Sequence, residues 1–257
     1  MTGKDEIIKI LRRDYGQIIE KCKKVLCVQP HPDDCDIAIG GTIYKLSSKG
    51  AKITYATLTD GRIGTYDPNI CPEKLAKIRM IEQENAAKKL GVNKLVWFNY
   101  HDSELYPSIE IRNKIIRLIR EVRPDIVFTT DPWLTYEAHP DHRTTGLMTS
   151  EAVLFSGFPH INPEDIREGF KEHNVSFIGY FWTRKPNTFI DISDVFERKI
   201  EAIKEHKSQY PNSIEKFENI LKKIHQYFGS MAGYKYAESI KILPTGFLHS
   251  NIFAEDI

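Results

Sequence analysis

Between Lys24 and Phe155, short apolar runs alternate with stretches whose apolar residues recur every three or four positions. Val25-Leu26-Cys27-Val28 is continuous rather than alternating, as expected of a strand buried on both faces. Ile53–Leu58, Lys94–Tyr100 and Ile126–Thr130 read as three further strands. Helical patterns lie between them. The first opens at Gly40-Gly41-Thr42, carries Ile43 and Leu46, and stops at Gly50, a residue suited to the backbone past a helix end. The second begins at Pro72, which fits a first helical turn, and runs to about Leu90 with Gly91 behind it. Ile111, Ile115, Ile116, Ile119 and Val122 mark a third, and another follows Asp141. This βαβα alternation predicts an α/β fold: a doubly wound, mostly parallel sheet with helices on both faces. Ligands of such sheets bind at the carboxyl ends of the strands.

The flanks are less regular. Ile7, Leu11, Ile18 and Cys22 recur at helical spacing, so residues 5–20 read as one amphipathic helix packed on the body. Downstream, Phe177–Thr183 and Thr188–Ile192 look like a pair of strands, and Asp194–His206 and Ile214–Phe228 like helices of mixed surface charge. No repeat, low-complexity tract or linker separates these parts. The expectation is a single domain over 1–257, with a core at about 24–155 and a C-terminal elaboration at about 156–257.

Composition narrows the function classes. Hydrophobic residues at 41% and charged residues at 28% suit a globular chain, and a net charge of +1 supplies no basic field for nucleic acid. No apolar run is long enough for a signal peptide or a bilayer span, so no membrane partner is expected. Cys22, Cys27, Cys35 and Cys71 show no CxxC spacing. That fits a reducing, cytoplasmic setting and small apolar fillers, with Cys35 the one to watch beside Asp34.

The chemistry concentrates at two strand ends. Pro30-His31-Pro32-Asp33-Asp34 follows the first strand, and Ala138-His139-Pro140-Asp141-His142 follows the fourth. His31 and Asp34 are close enough across a turn to meet one cation, and folding can bring His142 to the same rim. A His-Asp-His set leaves a position open for water, as catalytic zinc sites do. Asp33 would then accept a proton from that water, which zinc makes available as hydroxide near pH 7. His139 could polarise a carbonyl oxygen or protonate a leaving amine, with Asp141 fixing its ring. The plainer alternative makes Asp33 and Asp34 helix caps and His139 and His142 helix-start residues. The first loop lacks GxGxxG, and no GxSxG elbow or P-loop is present, so dinucleotide and serine-hydrolase readings lose their support.

These stretches resemble the LmbE-like or PIG-L-type N-acetylglucosamine deacetylases. The likeness is carried by Pro30–Asp34 with Gly40-Gly41-Thr42, Thr59-Asp60-Gly61-Arg62 with Gly64-Thr65, and Leu75–Glu82 leading to Ala86-Ala87 and Leu90-Gly91. His139–His142 and Lys199 with His206, Ser208 and Gln209 complete it. Within the family the chain is most similar to the archaeal diacetylchitobiose deacetylases, through Asp131-Pro132-Trp133 before Tyr136-Glu137-Ala138-His139. The resemblance implies a Rossmann-like fold and zinc-dependent removal of an N-acetyl group from a small aminosugar such as diacetylchitobiose or GlcNAc. It assigns one zinc ion per chain to His31, Asp34 and His142, the general base to Asp33, and oxyanion or acid work to His139. Arg62 and Asp102 match positions near the sugar, though Ser103 stands where relatives often have glycine; a salt bridge or turn is the plainer reading. Arg79, Glu82 and His206 are expected to hold structure. Tyr136 would donate to the tetrahedral intermediate or stack on a sugar, and Trp133 would be a sugar platform or a core residue. The resemblance also implies a homo-oligomer, in which His249 could reach a neighbour's cleft. Two rivals remain open: an amidase for another aminosugar conjugate, thiol- or lipid-linked, and a non-catalytic sugar- or metal-binding protein, against which a free Asp33 argues.

Overall fold

The computed structural model describes residues 3–11, 13–210 and 214–257. Among them, seven strands form one sheet in the order β3-β2-β1-β4-β5-β7-β6. The strands are β1 (Lys24–Gln29), β2 (Lys52–Thr59), β3 (Lys94–Tyr100), β4 (Ile126–Thr130), β5 (Phe177–Phe181), β6 (Thr188–Asp191) and β7 (Ala237–Pro244). β1 to β5 are parallel, with Val25 opposite both Ile53 and Ile126, while β7 runs antiparallel to β5 and to β6. The chain winds outward from β1 to β3, then returns to the other side of β1 to lay down β4. That reversal opens a crevice beyond the carboxyl ends of β1 and β4, where doubly wound sheets bind ligands.

Helices α1 (Gly3–Leu11), α2 (Tyr15–Ile19), α3 (Asp34–Ser48), α4 (Pro72–Leu90), α5 (Ile109–Val122), α6 (Pro140–Phe155), α7 (Pro163–Arg167), α8 (Phe196–Ile203) and α9 (Ile214–Ala232) cover the sheet. Their stops and starts follow local chemistry. Pro72 opens α4 and Gly91, at φ +72°, closes it, while the Ser108 hydroxyl caps α5 by accepting from Ile111 N. Ile111, Ile115, Ile116 and Ile119 then bury one stripe of α5 in the core that also takes Leu26, Val28 and Val127. Each such side chain contributes about 1.5–3 kcal/mol by leaving water.

Several expectations are corrected. The N-terminal stretch is two helices, not one: the Asp14 carboxylate accepts from Gln17 N and starts α2 anew, while Arg12 lies outside the described residues. α3 begins at Asp34 rather than Gly40, because its first turn is the polar Asp34-Cys35-Asp36, which carries no apolar periodicity. It bends at Ile39 (φ −134°), so Gly41 N and Thr42 N donate to the Glu238 carboxylate at 2.8 and 2.7 Å. The two C-terminal strands do not pair with one another, since β7 lies between them. β7 is hidden in the sequence by Glu238 and Lys241, two charges inside a buried strand. Both find partners: Glu238 meets the Lys199 ammonium, and Lys241 donates to the Glu255 carbonyl at 3.1 Å and to the Ile257 carbonyl.

Candidate active site

The loop after β1 is anchored before it reaches the histidine, because Thr59 donates twice to the Pro30 carbonyl, from its amide and its hydroxyl, each at 2.9 Å. Asp33 then turns the chain at φ +112°, a conformation rare for a residue with a side chain. Asp34 follows as the first residue of α3, and its Oδ2 accepts from His31 N at 2.8 Å. On the other side of the crevice His139 caps α6, its Nδ1 accepting from Asp141 N at 3.3 Å, with Pro140 in the first turn. The Thr130 hydroxyl donates to the His142 carbonyl at 2.8 Å and ties this turn to the end of β4. A third loop, after β3, joins them, since the Asp141 carboxylate accepts from Ser103 N and Leu105 N.

The predicted histidines and carboxylates converge. His31 Nδ1 is 3.3 Å from Asp34 Oδ2, and its Nε2 is 3.2 Å from both Asp141 Oδ2 and Asp102 Oδ1. His142 Nε2 is 3.8 Å from Asp34 Oδ1. One donor atom from each of His31, Asp34 and His142 lies within 4.8 Å of the others; the same holds for His31, Asp102, His139 and Asp141. Asp102 Oδ1 and His142 Nδ1 are buried without an aligned hydrogen bond. A buried cluster richer in carboxylate than in cation, with such polar atoms left over, fits a divalent ion of borderline softness.

Electrostatics sort the groups. Burial opposes a charge on His31, but Asp102, Asp141 and Asp34 outweigh it and hold its pKa well above the ordinary imidazole value. Burial likewise opposes the Asp34 anion, yet His142 and His31 bring that pKa down to about 2. Asp33 goes the other way. Burial raises it to about 6, the Arg79 guanidinium only partly offsetting this while the Asp34 charge adds to it. His139 is lowered by burial and by the two neighbouring rings, which keeps it neutral at pH 7. With Nδ1 accepting a backbone proton, its own proton sits on Nε2.

Other predicted residues land differently. Asp141, expected to fix the His139 ring, instead directs its carboxylate to His31 Nε2. Asp102 is buried against His31 rather than open to a sugar. Arg62 donates from Nε to Asp60 at 2.7 Å and reaches Glu73 at 3.5 Å. Trp133, at 61% exposure, and Tyr136, at 98% and φ +80°, are surface residues lining a cavity of about 820 Å³. None of the cluster's own residues lines it, but the cavity's Tyr136 and Thr183 are chain neighbours of Glu137 and Trp182, which touch His142. His249 is exposed on the same C-terminal segment, between the cavity-lining Leu248 and Asn251. Cys35 turns into the core, its thiol raised by burial and by Cys27, and none of the four cysteines is in a disulfide.

Some contributors were invisible beforehand. Glu137 Oε2 stands 3.2 Å from His142 Nδ1, and Trp182 stacks on the His142 ring at 5.3 Å and 7°. Trp182 sits just past β5, and that strand-end position was the available signal. Gln83, on α4, holds the Asp33 turn together with Arg79, which was expected to hold structure. Glu82 accepts from the amide and hydroxyl of Ser208, and His206 Nε2 meets Asp36 at 2.9 Å, both structural as expected.

Residues 26–153 match the family described as PIG-L, GlcNAc-PI de-N-acetylase. The diacetylchitobiose deacetylase of Thermococcus kodakarensis is 45% identical over 236 residues, 91% of this chain and 88% of that one. A Bacillus cereus protein described as a probable N-acetyl-alpha-D-glucosaminyl L-malate deacetylase 2 is 32% identical over 73% of this chain and 84% of its own. Among solved structures, the N,N'-diacetylchitobiose deacetylase from Pyrococcus horikoshii, complexed with an inhibitor, superposes with a TM-score of 0.94. It is 42% identical and is matched over 100% of this chain and 98% of its own. Two His-Pro-Asp loops meeting at the reversal of a doubly wound sheet, and relatives this similar over nearly the whole length, lead to one conclusion: the chain belongs to the PIG-L family of de-N-acetylases, hydrolases of acetamido groups.

Proposed function

We propose that the protein is a zinc-dependent deacetylase that removes an N-acetyl group from a GlcNAc-containing sugar, diacetylchitobiose foremost. The observation that carries this reading is the convergence of His31, Asp34 and His142 with the buried Asp33 beside them. Of the two possible donor sets, the one made by His31, Asp34 and His142 is favoured for the single ion. His31 Nε2 bonds Asp141, which leaves Nδ1 facing Asp34, and His142 has Glu137 behind its Nδ1. Carboxylates behind ligand histidines fix the tautomer and raise ligand basicity.

When bound, the ion would polarise the amide carbonyl and acidify a water. The chain's own residues do the rest. Asp33, its pKa raised by burial to about 6, is ionised at neutral pH yet basic enough to take a proton from the attacking water. His139 Nε2–H donates to the carbonyl oxygen as charge builds there. Asp33 then returns its proton to the leaving nitrogen, so the C–N bond breaks to acetate and a free amine. Trp133 and Tyr136 offer aromatic faces to a pyranose ring, and Arg62 supplies a polar group for hydroxyls, while Asp102 backs the His31 ring. We further read residues 1–257 as one working domain, active in the cytoplasm as a homo-oligomer in which His249 could complete a neighbour's cleft. Among the described residues, no helix is long and apolar enough to cross a membrane.

A second reading is deacetylation of another aminosugar conjugate, thiol- or lipid-linked; the likeness to a probable malate-conjugate deacetylase favours a conjugate as substrate without naming which. Acetate release from diacetylchitobiose, GlcNAc and a thiol-linked analogue, with and without a chelator, separates the two. Chelator-sensitive release from diacetylchitobiose is expected. Release only from the conjugate would move the substrate assignment, and release insensitive to the chelator would remove the metal from it.

A further inference from the structure

Asp33 holds an energetically unfavourable backbone shape, and the structure shows what opposes its relaxation. At φ +112° and ψ −27° a residue with a Cβ is strained by roughly 1–3 kcal/mol. The simplest relief is rotation of the peptide unit between Pro32 and Asp33, which would change Asp33 φ and release the turn that presents its carboxylate. Both ends of that unit are held from one face of α4. Arg79 donates from a terminal guanidinium nitrogen to the Pro32 carbonyl at 2.7 Å, and Gln83 Oε1 accepts from Asp33 N at 2.9 Å. Residues four apart on a helix lie side by side, so one element grips the carbonyl and the amide together.

Gln83 is itself held. Its Oε1 also accepts from Gln29 Nε2 at 2.8 Å, and its Nε2 donates to Asp36 Oδ2 at 2.8 Å. Asp36 Oδ2 in turn meets His206 Nε2, and Gln29 is fixed by Thr57 Oγ1 and Cys35 N. Gln29, Asp36, Gln83 and His206 are all fully buried. An amide placed this way has no freedom to follow a moving loop.

We propose that Gln83 is a positioning residue for the reaction: with Arg79 it locks the Pro32–Asp33 peptide and so aims the Asp33 carboxylate. The inference rests on the deacetylase reading with Asp33 as base. A misplacement of about 1 Å at such a group costs on the order of a hundredfold in rate.

The test compares Gln83→Met, which removes the acceptor at similar length, with Gln83→Glu, which keeps an acceptor oxygen toward Asp33 N and, held protonated beside the buried Asp36 carboxylate, an O–H to donate to it. Each is made in the native and in the Asp33→Asn background. Acetate release, bound metal and a crystal structure of each variant are measured. Gln83→Met is expected to lower kcat about 10- to 100-fold with KM within about threefold and metal content unchanged. Its crystal structure should show the Pro32–Asp33 peptide rotated and Asp33 out of the positive-φ region. Gln83→Glu should keep most of the native kcat, and in the Asp33→Asn background neither change should slow the residual rate further. The proposal is overturned if Gln83→Met leaves kcat unchanged, if it slows both backgrounds equally, or if Gln83→Glu loses as much as Gln83→Met. Should Gln83→Met not fold, Gln83→Glu alone decides, by its kcat and by the φ of Asp33 in its crystal. Wild-type acetate release in the same series tests the deacetylase reading separately, and the crystallographic readout tests the lock even where that reading fails.

Discussion

Asp33 and Asp34 are chemically identical neighbours with opposite fates, and the difference is who stands beside them. Asp34 faces two imidazoles and stays an anion down to about pH 2, whereas Asp33 is buried near an anion and rises to about 6. Removing the proton-accepting capacity of Asp33 without changing its shape isolates its task. Asp33→Asn is expected to keep one metal ion per chain and to lose about 10²- to 10⁴-fold in kcat, the usual worth of a general base. Elemental analysis beside the acetate assay checks both, and full activity would take the base role away from Asp33. His142→Ala leaves two of three proposed ligands, and dialysed protein should retain less than a tenth of the native metal; an unchanged content would remove His142 from the set. At this scale the residue types were legible in the sequence, because His-Pro-Asp twice at strand ends is a local pattern. The partner of each nitrogen was not. Asp141 reaches His31 from 110 positions away, and no spacing rule carries that information.

Elements meet here through residues chosen for closeness. A Cβ on Gly41 would stand 2.7 Å from Ile192 Cγ2, so α3 packs against the segment after β6 only with glycine at that point. Gly41→Ala is expected to cost about 1–3 kcal/mol through overpacking, read as a lower urea midpoint with an unchanged slope. The same junction holds a fully buried ion pair, Lys199 with Glu238, whose carboxylate also takes the Gly41 and Thr42 amides and the Thr42 hydroxyl. Burial lowers the Lys199 pKa while burial raises and Lys199 lowers that of Glu238; the close pairing keeps both charged. Lys199→Met would leave Glu238 uncompensated and is expected to destabilise by about 3–5 kcal/mol. A loss below about 1 kcal/mol in equilibrium unfolding would show that Glu238 is satisfied by the amides alone. Elements with a plain apolar run or clear stop signals, β3, β4 and the Pro72-to-Gly91 helix α4 among them, were readable nearly to the residue. β7 and the first turn of α3 were not, since their polar residues are balanced by partners far along the chain.

Across the whole molecule, pH acts through groups that folding removes from water. His225 lies buried between α9 and β7, its Nδ1 donating to the Ala237 carbonyl, and burial with the Lys199 charge depresses its pKa to about 4. Its folded value is below its unfolded value, near 6.5, so the unfolded chain binds the extra proton. Stability from this group is therefore full above about pH 6.5, declines as the pH falls toward 4, and levels off below. The total is roughly 3 kcal/mol. Urea unfolding of native protein and His225→Leu at pH 7 and pH 4.5 checks this by difference; a native protein that loses no more than the variant would contradict it. The alternation of strands and helices, the parallel sheet and the two catalytic-looking loops were determined by the sequence itself, because periodicity and turn chemistry act over a few residues. Tertiary structure alone decided that β1 and β4 lie side by side, that β7 separates β5 from β6, and that α4 grips the Asp33 turn. Those facts depend on which buried surfaces and buried polar groups satisfy one another at long range, and burial free energy has no memory of distance along the chain.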